Sequence, residues 1–338
     1  MKKFAKNIFL FFLLILTFFV FENVMSGFYS DFKRPGSNLF YDTFYYPNEN
    51  DPSYVVEEEL SRVPRETNLV TDDYGNRNNK VYEDLDIMLC GDSFSSLVML
   101  RQDETIHQQI NDLSNLRANS IRVKGVFGFD NNLNYISSRY AKPKLLVYEI
   151  VERNLPVIFG VDTSKTFHFN REKEFSDWKA VSGIKKFINE GLDLPTLRYF
   201  QYELLAEAQS FPRSKIDKNL YFLEGESAEV FSDAQISRIA DQLQKMHKLT
   251  ENNGIHFVFL PIPNKETIYY SKVPLPKRPD NLDRLYVEMD KRGIPYINVL
   301  GKLLDSKEQT YLRGDSHVNP HGSFLIASQV IDYYNSAF

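Results

Sequence analysis

Residues 84–95 read DLDIMLCGDSFS, and this stretch decides the fold. Its apolar centre runs into Gly91, which is typical of a buried strand that ends in a tight turn. Further along, residues 104–116 carry apolar side chains at helical spacing. The stretch therefore predicts the strand, turn and helix that begin a βαβ unit, and it places Ser93 at the turn.

The rest of the chain continues this alternation of strands and helices. Strands are predicted at 144–151, 255–262 and 294–299, and helices at 232–252, 281–291 and 320–334. Strands that alternate with helices imply parallel pairing, so we expect an α/β fold, a three-layer α/β/α sandwich. Residues from about 160 to 231 break the rhythm, and we interpret them as an insertion over the sheet's carboxyl edge.

The N-terminal residues 1–26 have the pattern of a membrane-targeting segment. Lys2, Lys3 and Lys6 precede an apolar run from Ile8 to Phe21, as in a signal peptide or a signal anchor. We favour an uncleaved, single-pass membrane helix over a cleaved signal; a buried core helix is the third alternative. The lysines should stay in the cytoplasm, which places the remainder of the chain outside it.

The exported part is expected to have two regions. Residues 27–80 are rich in Tyr, Asn, Asp and Pro, and we interpret them as a lead-in segment with a helical period only near 55–62. Residues 81–338 form the predicted catalytic domain.

Composition excludes several classes of protein. The 338 residues are 43% apolar and 25% charged, which is neither a disordered nor a fibrous composition. The net charge is −5 and no basic stripe occurs, so nucleic acid is not an expected partner. A single cysteine, Cys90, excludes an internal disulfide and a cysteine-based metal site.

Two motifs carry the chemistry. Ser93 stands where a strand turns into a helix, at the edge where open α/β folds place their sites. Asp315 and His317 stand two residues apart near the C-terminus, and a serine nucleophile needs such a histidine, oriented by a carboxylate. The alternatives are a turn with an N-cap and a loop with a surface histidine. His321 could pair with His317 on a metal, but no third ligand is evident, and we predict no metal and no cofactor.

These motifs resemble the SGNH/GDSL hydrolase superfamily, and more narrowly its AlgJ/AlgX-like and PatB-like branch of envelope polysaccharide O-acetyltransferases. The Asp-x-His loop at 315–317 resembles that branch. So do residues 75–78 (GNRN), 147–153 (VYEIVER) and 260–269 (LPIPNKETIY). The resemblance covers roughly residues 70 to 335 and implies an SGNH-like sandwich.

The expected chemistry is a two-step acyl transfer. His317 takes the proton of Ser93 as the hydroxyl attacks an acetyl donor, and Asp315 holds the imidazole. The Ser93 N–H is the first expected donor to the oxyanion. A sugar hydroxyl, deprotonated by His317, then accepts the acetyl group.

Two departures from the family pattern leave the family's usual second oxyanion donor without a counterpart in this sequence. Val318 follows the histidine where the branch carries Trp, and no Gly-x-Asn-Asp block supplies an asparagine. We assign Arg153 as the second donor, because a fixed cation near developing negative charge stabilises it. The alternative is an Arg153 paired with Glu149 or Glu152 to fix the end of the strand.

The resemblance also suggests substrate contacts and partners. Lys265 and Arg77 are assigned to substrate binding, with a surface lysine of no such role as the alternative for Lys265. The family implies a polysaccharide acceptor and a membrane-bound acyl-exporting protein as acetyl donor, at the bacterial cell membrane. The rival functions are an exported carbohydrate esterase with the same triad and a non-catalytic glycan-binding protein.

Overall fold

The structure is a computed structural model with an α/β architecture. It describes residues 47–61, 64–122, 129–161, 220–223, 229–273 and 277–338, together with Tyr45, Leu275 and residues 11–13, 16–18 and 20. Most of the expected insertion at 160–231, and most of residues 1–44, therefore lie outside the described residues. Within the part of the chain that is described, no helix is both long and apolar enough to span a bilayer.

A four-stranded parallel sheet forms the centre of the described domain. The described residues form the strands β1 Asn50–Asp51, β2 Val55–Glu57, β3 Pro64–Glu66, β4 Leu69–Val70, β5 Ile87–Gly91, β6 Ala118–Arg122, β7 Leu145–Val151 and β8 His256–Ile262. The central sheet has the order β6-β5-β7-β8. Strands β5 and β7 are buried along their whole length, which explains why their sequences are apolar runs without alternation.

Helices cover this sheet in two groups. The described residues form the helices α1 Ser93–Ser96, α2 Ile106–Leu113, α3 Phe129–Arg139, α4 Leu155–Ile158, α5 Asp233–Asn252, α6 Lys265–Ile268, α7 Asn281–Arg292, α8 Leu300–Leu304 and α9 Pro320–Ala337. Helix α9 packs on α2, and α7 packs on α5. The β5–β6 crossover, which contains α2, and the β7–β8 crossover, which contains α5, run in opposite directions along the sheet. Right-handed connections therefore place the two groups on opposite faces, which gives the expected three layers.

The strand order also determines where a site can form. The chain passes from β5 to β6 on one side and returns to β7 on the other, so the order reverses at β5. Open α/β sheets bind ligands at such a reversal, outside the carboxyl ends of the strands. Residues that follow β5 and β7 are therefore the ones that the fold brings to one edge.

Several sequence predictions are confirmed and others are corrected. Ser232 caps α5 in a capping box with Gln235, as the sequence predicts. Strand β6 was missed, because its sequence ANSIR has no apolar run. The predicted strand 294–299 is wrong, since it reduces to a single bridge between Tyr296 and Phe259.

The lead-in segment is more regular than expected. Strand β1 pairs antiparallel with β4, and β2 pairs antiparallel with β3. The helical period near 55–62 is misleading, because residues 55–57 form β2. Residues 58–61, which follow β2, lie against the C-terminal loop of the domain. The N–H groups of Leu60 and Ser61 both donate to Gly314 O.

Candidate active site

The nucleophile turn begins at the last residue of β5. Asp92 caps α1 and accepts a hydrogen bond from Phe94 N at 3.1 Å through Oδ1. Its second oxygen accepts from Val151 N at 3.0 Å and from Asn154 Nδ2 at 2.8 Å. One buried carboxylate therefore joins the end of β5 to the end of β7, and it leaves the partly exposed Ser93 at the rim.

Close packing of β5 against β7 requires the glycine before this turn. A Cβ at Gly91 would meet the backbone oxygen of Glu149 and would lie 3.0 Å from the Cβ of Glu149. Gly91 and Glu149 are register partners in the sheet. The glycine of the Gly-Asp-Ser motif is therefore a packing requirement, whereas the serine carries the chemistry.

Ser93, His317 and Asp315 meet at this edge. The Nε2 atom of His317 lies 2.7 Å from Ser93 Oγ, and its Nδ1 atom lies 2.5 Å from Asp315 Oδ1. This is the arrangement in which a histidine can take the serine proton while a carboxylate fixes the ring. The two partners come from loops 224 residues apart, so only the fold joins them.

Asp315 is fully buried and is held as a carboxylate. Burial alone would raise its pKa, but the charge of His317 and the hydrogen bonds to the carboxylate outweigh burial and lower the pKa to about 2. The bonds come from the ring and backbone N–H of His317 and from Glu59 N, at 2.6 Å to Oδ2. The carboxylate can therefore stabilise an imidazolium when His317 takes a proton.

Segment 58–61 of the lead-in contacts the loop that carries Asp315 and His317. The Leu60 and Ser61 N–H groups donate to Gly314 O at 3.0 and 2.8 Å. A Cβ at Gly314 would lie 2.6 Å from the Cβ of Ser61 and would overlap the Glu58 carboxylate. The loop therefore fits against this segment only because residue 314 has no side chain.

Arg153 lies at the rim, beside the triad. Its Nη2 donates to Ser316 Oγ at 2.9 Å, and its guanidinium carbon lies 5.8 Å from the centre of the Phe94 ring, which itself lies 4.7 Å from that of His317. The Ser316 hydroxyl in turn donates to Glu59. Arg153 is thus placed near the reacting groups, and it does not pair with either of the glutamates considered from the sequence.

Those two glutamates have different surroundings. Glu152 is buried, and its carboxylate accepts from Asn264 N, Thr267 Oγ1 and Asn281 Nδ2. Glu149 is also fully buried, but its carboxyl oxygens have no hydrogen-bond partner among the described residues. Burial raises the pKa of Glu149 well above its ordinary value, with a smaller contribution from Asp92. Burial therefore favours the neutral form of this carboxyl group.

The two residues assigned to substrate binding are both buried, which corrects that interpretation. Lys265 is fully buried and donates to Leu312 O, Arg313 O and Asp315 O. Arg77 is 2% exposed and donates to the backbone oxygens of Asn68, Ser96, Leu97 and Leu100 and to Gln102 Oε1. Both cations therefore donate hydrogen bonds to the backbone of the loops that form the site. Their side chains are buried, so neither is positioned to contact a glycan.

Two further residues of the site were not found from the sequence. Glu59 contacts the triad from 256 residues away, and no local pattern signals such a contact. Asn154 follows Arg153 directly and bonds Asp92. The sequence does place Asn154 just after the predicted strand 144–151, at the carboxyl edge of the sheet where sites of open α/β folds lie.

One cluster of side chains among the described residues could in principle ligate a metal ion. Glu59, Asp315 and His317 offer ligand atoms within 4.8 Å of one another. Both ring nitrogens of His317 already face hydrogen-bond partners, so the imidazole has no lone pair directed at an ion. The donors therefore fit a triad with a neighbouring carboxylate better than a metal site.

An α/β fold with a Ser-His-Asp arrangement at the carboxyl edge of its parallel sheet has the character of a serine hydrolase-like protein. Residues 220–337 match the family model described as the SGNH hydrolase-like domain of acetyltransferase AlgX. The match confirms the resemblance to the SGNH superfamily and to its AlgX-like branch that the sequence suggests.

The chain is also similar to solved structures of low sequence identity. A lipase/acylhydrolase from Enterococcus faecalis is 9% identical with a TM-score of 0.38, over 75% of this chain and 96% of that chain. A GDSL-like lipase from Bacteroides thetaiotaomicron is 9% identical with a TM-score of 0.37, over 75% and 88%. An acetyl xylan esterase is 11% identical with a TM-score of 0.36, over 74% and 99%. A comparison of the sequence with curated proteins found no match.

Proposed function

We propose that the protein is a serine-dependent O-acetyltransferase that acts outside the cytoplasm on a cell-wall or envelope polysaccharide. The observation that carries this proposal is the continuous contact from Ser93 Oγ through His317 to Asp315. An acetylated Ser93 is the intermediate. The AlgX-type match over residues 220–337 supports acetyl transfer as the reaction.

In the first step, Ser93 Oγ attacks the carbonyl carbon of the acetyl donor while His317 Nε2 accepts the hydroxyl proton. The carbonyl oxygen becomes an oxyanion, to which the Ser93 N–H donates, with Arg153 as the second group at this rim. The C–O bond to the leaving group then breaks, and His317 returns its proton to that group. Asp315 remains a carboxylate throughout and stabilises the charged imidazole.

In the second step, a sugar hydroxyl attacks the acetyl-serine. His317 removes the proton of that hydroxyl, the ester bond to Ser93 breaks, and the serine regains its proton from His317. The acetyl group has then moved from donor to polysaccharide with no net change in the enzyme. Residues 1–26 anchor the protein in the bacterial membrane, and a membrane-bound acyl-exporting protein supplies the donor.

A carbohydrate esterase is the second candidate, because Ser93 is partly exposed and water can reach it. The same triad activates water as well as a sugar hydroxyl, so the acceptor alone separates the two functions.

The test uses full-length protein in mild detergent with a chromogenic acetyl ester and increasing concentrations of wall or envelope polysaccharide. Transfer predicts an acetylated polysaccharide whose yield rises with acceptor while free acetate falls. Free acetate that dominates at every acceptor concentration supports the esterase. The Ser93→Ala variant should lose both products and the acetyl-protein seen by mass spectrometry; full activity of that variant would overturn both candidates.

A further inference from the structure

Lys265 is a buried charged group that contacts the loop of the triad and takes no part in the proposed chemical steps. It begins α6 after β8 and is 0% exposed. Its Nζ donates to Leu312 O at 2.5 Å, to Arg313 O at 2.9 Å and to Asp315 O at 3.0 Å. All three acceptors belong to the loop that presents Asp315 and His317.

This loop is a hairpin, and Tyr221 N also donates to one of its carbonyls, that of Arg313, at 3.0 Å. Tyr311 and Val318 form a bridge at its base, and Leu312 N donates to His317 O at 3.0 Å. The carbonyl groups of Leu312, Arg313 and Asp315 converge on one point, where Lys265 stands. A lysine ammonium has three N–H donors, so each carbonyl receives one.

We propose that Lys265 is a positioning residue, whose ammonium form holds the 311–318 loop in the conformation that brings His317 to Ser93. This inference rests on the proposed function, because it assumes that Ser93 reacts. Loss of the proton leaves an amine with two N–H donors and a lone pair, so one of the three carbonyls then faces a lone pair instead of a donor. The loop should relax, and the Nε2 to Oγ contact should lengthen.

Charged groups face Lys265 from several elements. Glu266 stands beside it on α6, Asp315 lies above it in the loop, and Glu58 and Glu59 approach from the lead-in segment. The Phe222 ring lies 5.6 Å from Nζ. Burial lowers the pKa of Lys265, the carboxylates oppose this effect, and the resulting pKa is about 8. Its protonation therefore changes within the range in which enzymes are assayed.

The experiment measures the rate at which a serine-directed sulfonyl fluoride labels Ser93 in full-length protein between pH 6 and 10. Rates are corrected for hydrolysis of the reagent at each pH. The wild-type rate should fall around pH 8 while the far-ultraviolet circular dichroism stays unchanged. A rate that does not fall between pH 7 and 9.5 would overturn the proposal.

Two variants test whether Lys265 causes this fall. Lys265→Met removes all three donors, and Lys265→Gln keeps two N–H groups on a shorter side chain. Misplacement of a reacting group by about 1 Å costs about 100-fold in rate, so Lys265→Met should label about 10- to 100-fold more slowly and without the alkaline fall. The matched control is Lys302→Met at an exposed position of α8, which should follow the wild type.

The assay separates this inference from the proposed function. Folded Lys265 variants that label at the wild-type rate, with the same alkaline fall, overturn the positioning role and leave the acetyl-serine intact. Wild-type protein that never labels overturns both. If Lys265→Met does not fold, Lys265→Gln, which keeps two of the three N–H donors, supplies the same comparison with the wild type. With an acetyl ester, the variants should lower kcat and leave KM unchanged, because Lys265 does not reach the substrate.

Discussion

Replacement of Gly314 by alanine tests how the C-terminal loop depends on the lead-in segment. The new Cβ would lie 2.6 Å from Ser61 Cβ, whereas ordinary Cβ contacts begin at about 3.4 Å, so the loop and the segment must separate by about 0.8 Å. The Glu58 carboxylate cannot simply turn away, because it accepts from Ser61 Oγ at 2.6 Å and lies 3.6 Å from Arg65.

That separation stretches the bonds on which the triad depends. The Leu60 and Ser61 bonds to Gly314 O lengthen, and so does the 2.6 Å bond from Glu59 N to Asp315. Overpacking of this kind typically costs about 1–3 kcal/mol of stability. A displacement near 1 Å in a reacting group costs about 100-fold in rate. Gly314→Ala should therefore lose activity by a larger factor than its loss of stability would suggest.

The assay combines hydrolysis of a chromogenic acetyl ester with urea unfolding. Gly301→Ala is the matched control, because a Cβ there meets nothing within 4 Å and Gly301 is an exposed residue of helix α8. That variant should be fully active and slightly more stable. A second variant that adds Glu58→Ala and Ser61→Gly to Gly314→Ala should recover part of the activity. If Gly314→Ala matched Gly301→Ala in kcat and in urea midpoint, the proposed dependence on the segment would be refuted.

Two further predictions concern the carboxylates of the site. Asp92→Ala removes the cap of α1 and the bonds to Val151 and Asn154, so the free energy of unfolding should fall by about 1–3 kcal/mol and labelling of Ser93 should slow; unchanged urea midpoints would contradict this. For Asp315, the folded pKa of about 2 lies below the unfolded value near 3.9, so its stabilising effect is essentially complete above about pH 5 and is lost as the pH falls through 4 towards 2. Asp315→Asn should accordingly be less stable than wild type at pH 6 and lose less stability between pH 6 and 3, and parallel urea curves for the two proteins would argue against this reasoning.

The sequence predicts the elements that rest on local patterns. The strand before Gly91, the capping box at Ser232 and the helix that follows Pro320 all depend on residues within a few positions of each other. Strand β6 has no comparable signal. Its sequence is largely polar, and Asn119 and Ser120 are buried because their side chains find hydrogen bonds to the Lys80 and Ser95 carbonyls. Tertiary contacts therefore decide that element.

The site divides in the same way. Ser93, Asp315 and His317 could be named from the sequence, because their chemistry requires these residue types beside a turn and in one loop. The contact of Glu59 with Asp315 spans 256 residues and uses a backbone N–H, which every residue but proline possesses. A donor that is common to nearly all residues leaves no trace in the sequence. Only the folded chain shows that the lead-in segment takes part.

The buried cations explain why the assignment of Lys265 and Arg77 to substrate binding was wrong. A motif shows that a cation is present, but it does not show which way the side chain points. Arg77 donates to the carbonyls that follow Ser93, and Lys265 donates to the carbonyls around Asp315. An apolar residue at either position would remove a donor from buried carbonyls such as those of Leu312 and Leu100, at a cost of about 1–3 kcal/mol for each carbonyl left without another donor. One buried cation thus holds the backbone of the loop after Ser93, and another holds that of the loop with Asp315 and His317. A sequence motif that includes such a lysine or arginine can therefore reflect the geometry of the catalytic loops rather than the identity of the substrate.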